Sequence, residues 1–267
     1  MPRLVRLDAE LVRRGLARSR EHAASLVEAG RVEVGGRPAT KVATSVGPET
    51  SVRVLDGGEP DYVSRGGHKL AGALDVFGEN GLDVNGRSCL DAGASTGGFT
   101  DVLLRRGAAT VLAVDVGYGQ LAWSLRTDER VTVLDRTNVR NLSLDDVGDP
   151  VDLIVGDLSF ISLGIVLPAL IAVAKPDGDL VLMVKPQFEV GKDRIPAGGV
   201  VRDPAVRAEA VRGVARSAAT FGLGVRGVTA SPLPGPAGNV EYFLWLSAGA
   251  PPLDDEALDT AITEGPS

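Results

Sequence analysis

What most constrains this chain is a rhythm. Short apolar runs recur at CLDAG (89–93), TVLAVDV (110–116), VTVLD (131–135), VDLIVGDL (151–158) and DLVLMVK (179–185), with helical candidates in the intervals between them. Such alternation predicts a doubly wound α/β sheet with right-handed crossovers. Two further runs, VRGVTASP (225–232) and VEYFLWLS (240–247), bring the strands to seven, and DPAVRAEAVRGVARSAATFG supplies a helix ahead of the first of these. Only SPLPGPAGN joins the last two, which leaves no room for a crossover helix, so the final strand is expected to run antiparallel. The expected fold is a Rossmann-like, seven-stranded, mostly parallel sheet. At 267 residues the chain has room for this domain and about half of another.

The remainder lies at the N-terminus and differs in charge. Residues 1–53 carry ten Lys/Arg against six Asp/Glu, whereas the other 214 carry eighteen against twenty-nine. A basic module on an acidic protein suits docking to nucleic acid, because Lys and Arg neutralise phosphates whatever the base sequence. RLDAELVRRGL (6–16) reads as a helix ended by Gly15, and Ser19 as the N-cap of a second helix running to about Ala29 and stopped by Gly30. Val32 and Val34, a Gly35-Gly36 turn, then Val42, Val46, Val52 and Val54 follow as short strands. Two short helices before a small β-hairpin, with LVRRGLARSREHAASLVEAGRVEVGGRPATK as the carrying text, resemble the S-four-like RNA-binding domain. That resemblance implies a grip on RNA by shape and phosphates, with Arg18, Arg20 and Lys41 as contacts. Glycine, proline and acid in DGGEPD (56–61) mark a boundary. The organisation expected is an S-four-like domain over 1–57, a linker over 58–63, the Rossmann-like domain over 64–248 and a Pro-rich acidic tail over 249–267, with a possible short helix in DDEALDTAITE.

Doubly wound sheets bind ligands at the carboxyl ends of their parallel strands. The first strand there ends in Asp91-Ala92-Gly93-Ala94-Ser95-Thr96-Gly97-Gly98-Phe99-Thr100, where small residues let a ligand approach the backbone and a helix N-terminus follows. A dinucleotide fingerprint would place Ser95 where the second glycine must admit a pyrophosphate, which weakens a nicotinamide reading. DAGASTGGF instead resembles the first motif of S-adenosylmethionine methyltransferases, which implies cofactor contacts over Asp91, Gly93, Ala94, Ser95, Thr96, Gly97, Gly98, Phe99 and Thr100. Asp115, ending the second strand, suits the hydroxyls of a ribose in either cofactor class.

Topology gathers four ionisable residues at that edge. Asp157 and Lys185 follow the fourth and fifth strands, Glu241 opens the antiparallel last strand, and Lys69 starts the helix HKLAGALDVFG that descends to the first strand. The set resembles the Lys-Asp-Lys-Glu tetrad of FtsJ-like RNA ribose 2'-O-methyltransferases. A ribose hydroxyl is a poor nucleophile, so its proton must be shared or removed as the methyl is attacked in line. The resemblance makes Lys185 the base. Lys69 is read as a neighbouring cation favouring the neutral amine, Asp157 as stabilising the sulfonium, and Glu241 as holding Lys69 or the ribose.

VSRGGHKL (63–70), LDAGASTGGFT (90–100), VDVGYGQLAWSLR (114–126), DLSFISL (157–163), VKPQFEVGK (184–192) and ASPLPGPAGNVEYFLWL (230–246) carry a wider resemblance, from about residue 3 to the end, to the TlyA or haemolysin A family. It implies S-adenosylmethionine-dependent 2'-O-methylation of cytidines in 16S and 23S ribosomal RNA, ribosomal subunits as partners, and Asn138 as an adenine-side contact. The family's Arg-x-Trp-Val interdomain tetrapeptide reads Pro60-Asp61-Tyr62-Val63 here, leaving Tyr62 to supply an aromatic face. Arg65 and Lys192 are expected at an RNA-facing rim, with GKDRIPAGG (191–199) as a flap. Phe160, Phe188 and Tyr118 are stacking candidates for a flipped cytidine, and Trp123 and Trp245 are expected in the core.

One cysteine, Cys89, offers neither an internal disulfide nor a zinc cluster, so no metal is expected and a cytoplasmic protein is. No apolar run reaches the roughly 18 to 20 residues of a membrane span. A non-catalytic RNA-binding ribosome factor and a moonlighting haemolysin stay open as rival readings.

Overall fold

Residues Met1–Asp61 and Tyr62–Ser267 form two separate units. The computed structural model describes residues 4–17, 19–28, 30–55, 61–191, 194 and 198–266. The first unit runs β1 (Val5–Arg6), α1 (Leu7–Arg13), α2 (Arg20–Glu28), β2 (Val32–Val34), β3 (Arg37–Pro38), β4 (Ser45–Val46) and β5 (Val52–Val54). Its second helix begins where the sequence places a cap: Ser19 Oγ accepts the His22 N–H at 3.1 Å, satisfying one of the donors a helix start leaves unpaired. β2 lies between β3 and β5 in an antiparallel sheet, and β1 pairs with β4. Leu7, Leu11, Ala23, Leu26, Val27, Val32 and Val52 close a small core.

Beneath that core, Arg14 donates to the Glu10 carboxylate and to the carbonyls of Gly47, Pro48 and Thr50, so this arginine ties α1 to the β4–β5 turn. Hydrogen bonds from Arg13 and Arg14 hold Glu10 well below the ordinary carboxylate range, at about 2. Arg20 and Lys41 are exposed, while Arg18 lies outside the described residues.

The second unit runs α3 (Gly66–Gly78), β6 (Ser88–Ala92), α4 (Gly98–Arg105), β7 (Thr110–Val114), α5 (Trp123–Arg126), β8 (Val131–Leu134), a 3-10 turn (Val139–Asn141), α6 (Leu144–Val147), β9 (Val151–Gly156), α7 (Leu163–Val173), β10 (Ala174–Val184), α8 (Pro186–Glu189), α9 (Pro204–Ala219), β11 (Leu223–Ala230), β12 (Tyr242–Ala248) and α10 (Asp255–Glu264). The strand order is β11-β12-β10-β9-β6-β7-β8, with β12 antiparallel to both neighbours and the pairs from β10 through β8 parallel.

Alternation along each strand divides the apolar residues between two faces. Tyr242, Leu244 and Leu246 of β12 and Leu180, Leu182 and Val184 of β10 face α7, α9 and α10. Phe243, Trp245, Val181 and Met183 face the opposite layer, where α3 contributes Leu70, Ala73, Leu74 and Phe77 at helical spacing. Each buried Leu or Phe contributes roughly 1.5–3 kcal/mol. Two apolar layers around one sheet therefore fix its edges, and the loops at its carboxyl end are built on a rigid base. The C-terminal segment is not an appended tail: Asp254 caps α10, and Leu258 and Ala261 are buried in the core. Among the described residues no helix is long and apolar enough to cross a membrane.

Candidate functional site

The site forms where the crossovers diverge, between β6 and β9. Ala92 of β6 pairs with Gly156 of β9, so the residues that follow, Gly93 and Asp157, leave the sheet side by side. The approach is close. A Cβ on Gly93 would fall 2.8 Å from the Asp157 carbonyl, and its φ of +86° lies in the region that favours glycine. The loop then turns through Ser95, itself at φ 49°, and enters α4 at Gly98. A Cβ on Gly98 would lie 2.3 Å from Ser64 Oγ and 2.8 Å from the Gly67 nitrogen. Bare backbone at Gly98 thus lets the starts of α3 and α4 meet, which brings Lys69 to the same edge.

Asp115 anchors the loop from the end of β7. Its carboxylate accepts the Ser95 N–H at 2.8 Å through one oxygen and the Gly117 N–H at 2.7 Å through the other. Two cavities adjoin here. One, of about 330 Å³, is lined by Ser64, Arg65, Lys69, Gly93 to Thr96, Gly98, Phe99, Asp157, Ser159, Lys185, Pro234 and Pro236. The other, of about 440 Å³, shares Gly93, Ser95, Asp157 and Ser159 and adds Asp115, Val116, Gln120, Asn138, Leu158 and Phe160. Together they have the size and mixed lining of a nucleoside-sized ligand site.

All four ionisable residues lie at this edge, in two pairs. Lys69 Nζ meets Glu241 Oε2 at 2.5 Å, with Glu241 1% exposed. Lys185 Nζ meets Asp157 Oδ1 at 2.5 Å and donates to Ser159 Oγ at 2.8 Å. Strand register explains the placement. Val184 pairs with Tyr242, so Lys185 and Glu241, one residue beyond each, leave neighbouring strands together. Lys69, Asp157 and Lys185 line the first cavity; Glu241 stands behind Lys69.

Several expected contacts fall elsewhere. Asp91 and Thr100 are fully buried, and Thr100 Oγ1 donates to Asp91 Oδ2 at 2.7 Å, so both brace the loop from behind and line neither cavity. Burial pushes the Asp91 carboxyl up to about 7. Gly97 is buried with φ +99°, packed where a Cβ would strike Leu125 and Leu121. Asn138 lines the second cavity, where its side-chain oxygen accepts the Arg140 N–H at 3.0 Å. Arg65 is exposed on the rim of the first. Lys192, Pro60 and most of 191–199 lie outside the described residues, which include only Gly191, Arg194, Gly198 and Gly199 of that stretch.

The aromatics also divide. Trp245 is core, but Trp123 is 76% exposed at the start of the four-residue α5, because a helix so short has no second turn with which to bury it. Tyr62 is buried against Gly67, with Arg105 over its ring at 5.0 Å, and is no cavity face. Phe160 is 90% exposed at φ +65°, its ring 5.1 Å from Phe188. Tyr118 is exposed, with Arg136 over its ring at 4.3 Å.

Ser64, Ser159, Pro234 and Pro236 line the first cavity without having been singled out in the sequence. For the prolines a signal exists. SPLPGPAGN leads into the antiparallel strand that carries Glu241, so topology sends both to one edge. A lone serine offers no such pattern.

A family model described as an FtsJ-like methyltransferase matches residues 62–248, and one for the S4 domain matches residues 5–52. The chain is 59% identical over 272 residues to the 16S/23S rRNA (cytidine-2'-O)-methyltransferase TlyA of Mycobacterium tuberculosis, covering 100% of both. It is 42% identical to the putative rRNA methyltransferase YqxC of Bacillus subtilis over 90% of this chain and 85% of that one. A solved structure, a putative hemolysin from Streptococcus thermophilus, superposes with a TM-score of 0.75 at 37% identity, covering 99% of this chain and 96% of the other.

Proposed function

The chain belongs to the TlyA family of ribosomal RNA methyltransferases, and from that premise we propose that it transfers a methyl group from S-adenosylmethionine to the ribose 2'-oxygen of cytidine in 16S and 23S ribosomal RNA. One observation carries the reading: Lys185, held by Asp157 and Ser159, lines the cavity formed by the Gly93–Thr96 turn, beside Lys69.

The residues present fit the donor. Asp115 lines the second cavity beside Val116 and Leu158, a setting for a ribose diol and an adenine face, and Asn138 lies among them. The bare backbone at Gly93 leaves the floor between the cavities open to a ligand. When bound, S-adenosylmethionine supplies a methyl carbon carrying the electron deficit of a cationic sulfur.

The chain's own groups do the rest. The Asp157 carboxylate, partly exposed in the shared part of the cavity, favours positive charge there. Lys185 Nζ accepts the hydroxyl proton as the sugar oxygen is alkylated, so the lysine ends as an ammonium facing Asp157. The Lys69–Glu241 pair closes the wall of the cavity and fixes the start of α3. Arg65 on the rim meets a phosphate of the RNA, and Phe160 offers its exposed ring to the target base. In the first unit, exposed Arg20 and Lys41 contact RNA phosphates.

Incubating ribosomal subunits with the protein and methyl-labelled donor tests this. Label in ribosomal RNA at stoichiometric yield, abolished by a competing donor analogue, is expected. Retention of the donor with no label in either RNA contradicts an enzymatic reading and leaves an RNA-binding factor.

A further inference from the structure

The structure assigns Ser159 as the positioning residue that aims the Lys185 amine, an inference that rests on the proposed role of Lys185 as proton acceptor. A neutral lysine amine has two N–H donors and one lone pair, arranged tetrahedrally about nitrogen with Cε in the fourth place. Left alone, that group rotates freely about its Cε–Nζ bond, and its lone pair has no fixed direction. Here Nζ donates to Ser159 Oγ at 2.8 Å and lies 2.5 Å from Asp157 Oδ1 in an ion pair that lacks hydrogen-bond geometry. The N–H committed to Ser159 stops rotation about the Cε–Nζ bond and leaves two tetrahedral directions. The Asp157 carboxylate repels a lone pair on its own side, so the lone pair takes the other. Without Ser159 the ion pair holds the amine close but leaves it free to spin.

The surroundings keep Ser159 in place. It sits between Leu158 and Phe160, and Phe160 adopts φ +65° with its ring 5.1 Å from that of Phe188 in α8, which follows Lys185. Two residues later the same segment is clamped again. Glu189 accepts Ser162 Oγ–H at 2.6 Å and the Leu163 N–H at 2.9 Å, joining the start of α7 to α8. Burial holds that carboxyl above its ordinary range. The segment bearing Ser159 is thus pinned to α8, directly after Lys185, at two points beyond the hydroxyl. Ser159 also lines both cavities, so its oxygen stands where a donor and a sugar would meet.

The proton balance is simple. The sugar O–H bond breaks, an N–H bond forms at Lys185 Nζ, and the oxygen takes the methyl carbon from the donor sulfur, which keeps the bonding pair. Orientation of an acceptor contributes to general-base catalysis, so loss of the hydroxyl slows the transfer step even with the donor site saturated.

The test uses the full-length protein with ribosomal subunits and S-adenosylmethionine. Ser159→Ala is expected to lower the single-turnover transfer rate at saturating donor about tenfold, with the melting temperature unchanged, and Ser159→Thr, which keeps the oxygen, is expected to restore most of the rate. In a Lys185→Ala background, Ser159→Ala is expected to add nothing, because the two residues act as a unit. A Ser159→Ala rate at saturating donor within twofold of the parent overturns the assignment, as does a rate loss recovered by raising the donor concentration, or an undiminished tenfold effect in the Lys185→Ala background. Full activity of Lys185→Ala by itself identifies failure of the underlying base assignment instead.

Discussion

Two lysine–carboxylate pairs share one cavity, and they are finished differently. Lys69–Glu241 is closed: its carboxylate is 1% exposed, and a Cβ on Gly235 would fall 2.6 Å from Glu241 Oε1, so the proline-rich loop seals it. Lys185–Asp157 is open. The Asp157 side chain keeps 26% of its exposure, and Ser159 shares the amine. The sealed carboxylate has no face left toward a ligand, and its desolvation cost must be met by contact geometry alone. The two amines are buried alike and both line the cavity, so the pairs differ in the carboxylate, which only the open pair turns toward it. On the proposed function, residues of the same chemical types would serve as a strut in one place and as a reactive group in the other.

Breaking the open pair is expected to have the largest effect. Lys185→Ala removes the proposed proton acceptor and is expected to cut the transfer rate by roughly 10²–10⁴-fold with the donor still bound, measured by single-turnover transfer beside donor-binding calorimetry. The closed pair should respond in stability. Lys69→Met leaves Glu241 buried without its partner and is expected to cost about 3–5 kcal/mol in denaturant unfolding, whereas Lys69→Met with Glu241→Leu recovers most of that loss. A double variant no more stable than the single would erase the distinction between strut and reagent.

Asp91 differs from both pairs, as a buried carboxyl whose side-chain partner is the Thr100 hydroxyl. Burial raises it to about 7, so the native state holds its proton more tightly than the unfolded chain does. Its favourable contribution is full below the unfolded value near 4 and is lost as pH rises through about 7. Stability is thus expected to fall between pH 5 and pH 8 by about 1–3 kcal/mol, and Asp91→Asn to flatten that decline in melting curves taken across the range. An unchanged slope in the variant would place the titration elsewhere.

The contrast between the pairs also marks how far the sequence is legible. Topology brings all four residues to one edge, because SPLPGPAGN is too short for a crossover and forces β12 to return, delivering Glu241. Which lysine meets which carboxylate is set by side-chain reach, from α3 to the start of β12 for one pair and between the ends of β10 and β9 for the other, and spacing along the chain carries no record of it. Asp91 and Thr100 read as ligand contacts because the glycine motif looks continuous, yet the pleat turns Asp91 inward onto Thr100 at the start of α4. Trp123 shows the same limit. QLAWSLR has a core composition, but the helix is one turn long and leaves the indole exposed.

On the proposed function, the atom alkylated beside the open pair is a sugar oxygen. Nucleoside mass spectrometry of ribosomal RNA, digested after incubation with the protein and an isotopically labelled donor, tests it most directly. The expected product is cytidine carrying the label on its ribose 2'-oxygen, absent when Lys185→Ala replaces the parent protein. A label found on the cytosine base, or ribose label undiminished in the variant, would contradict the account.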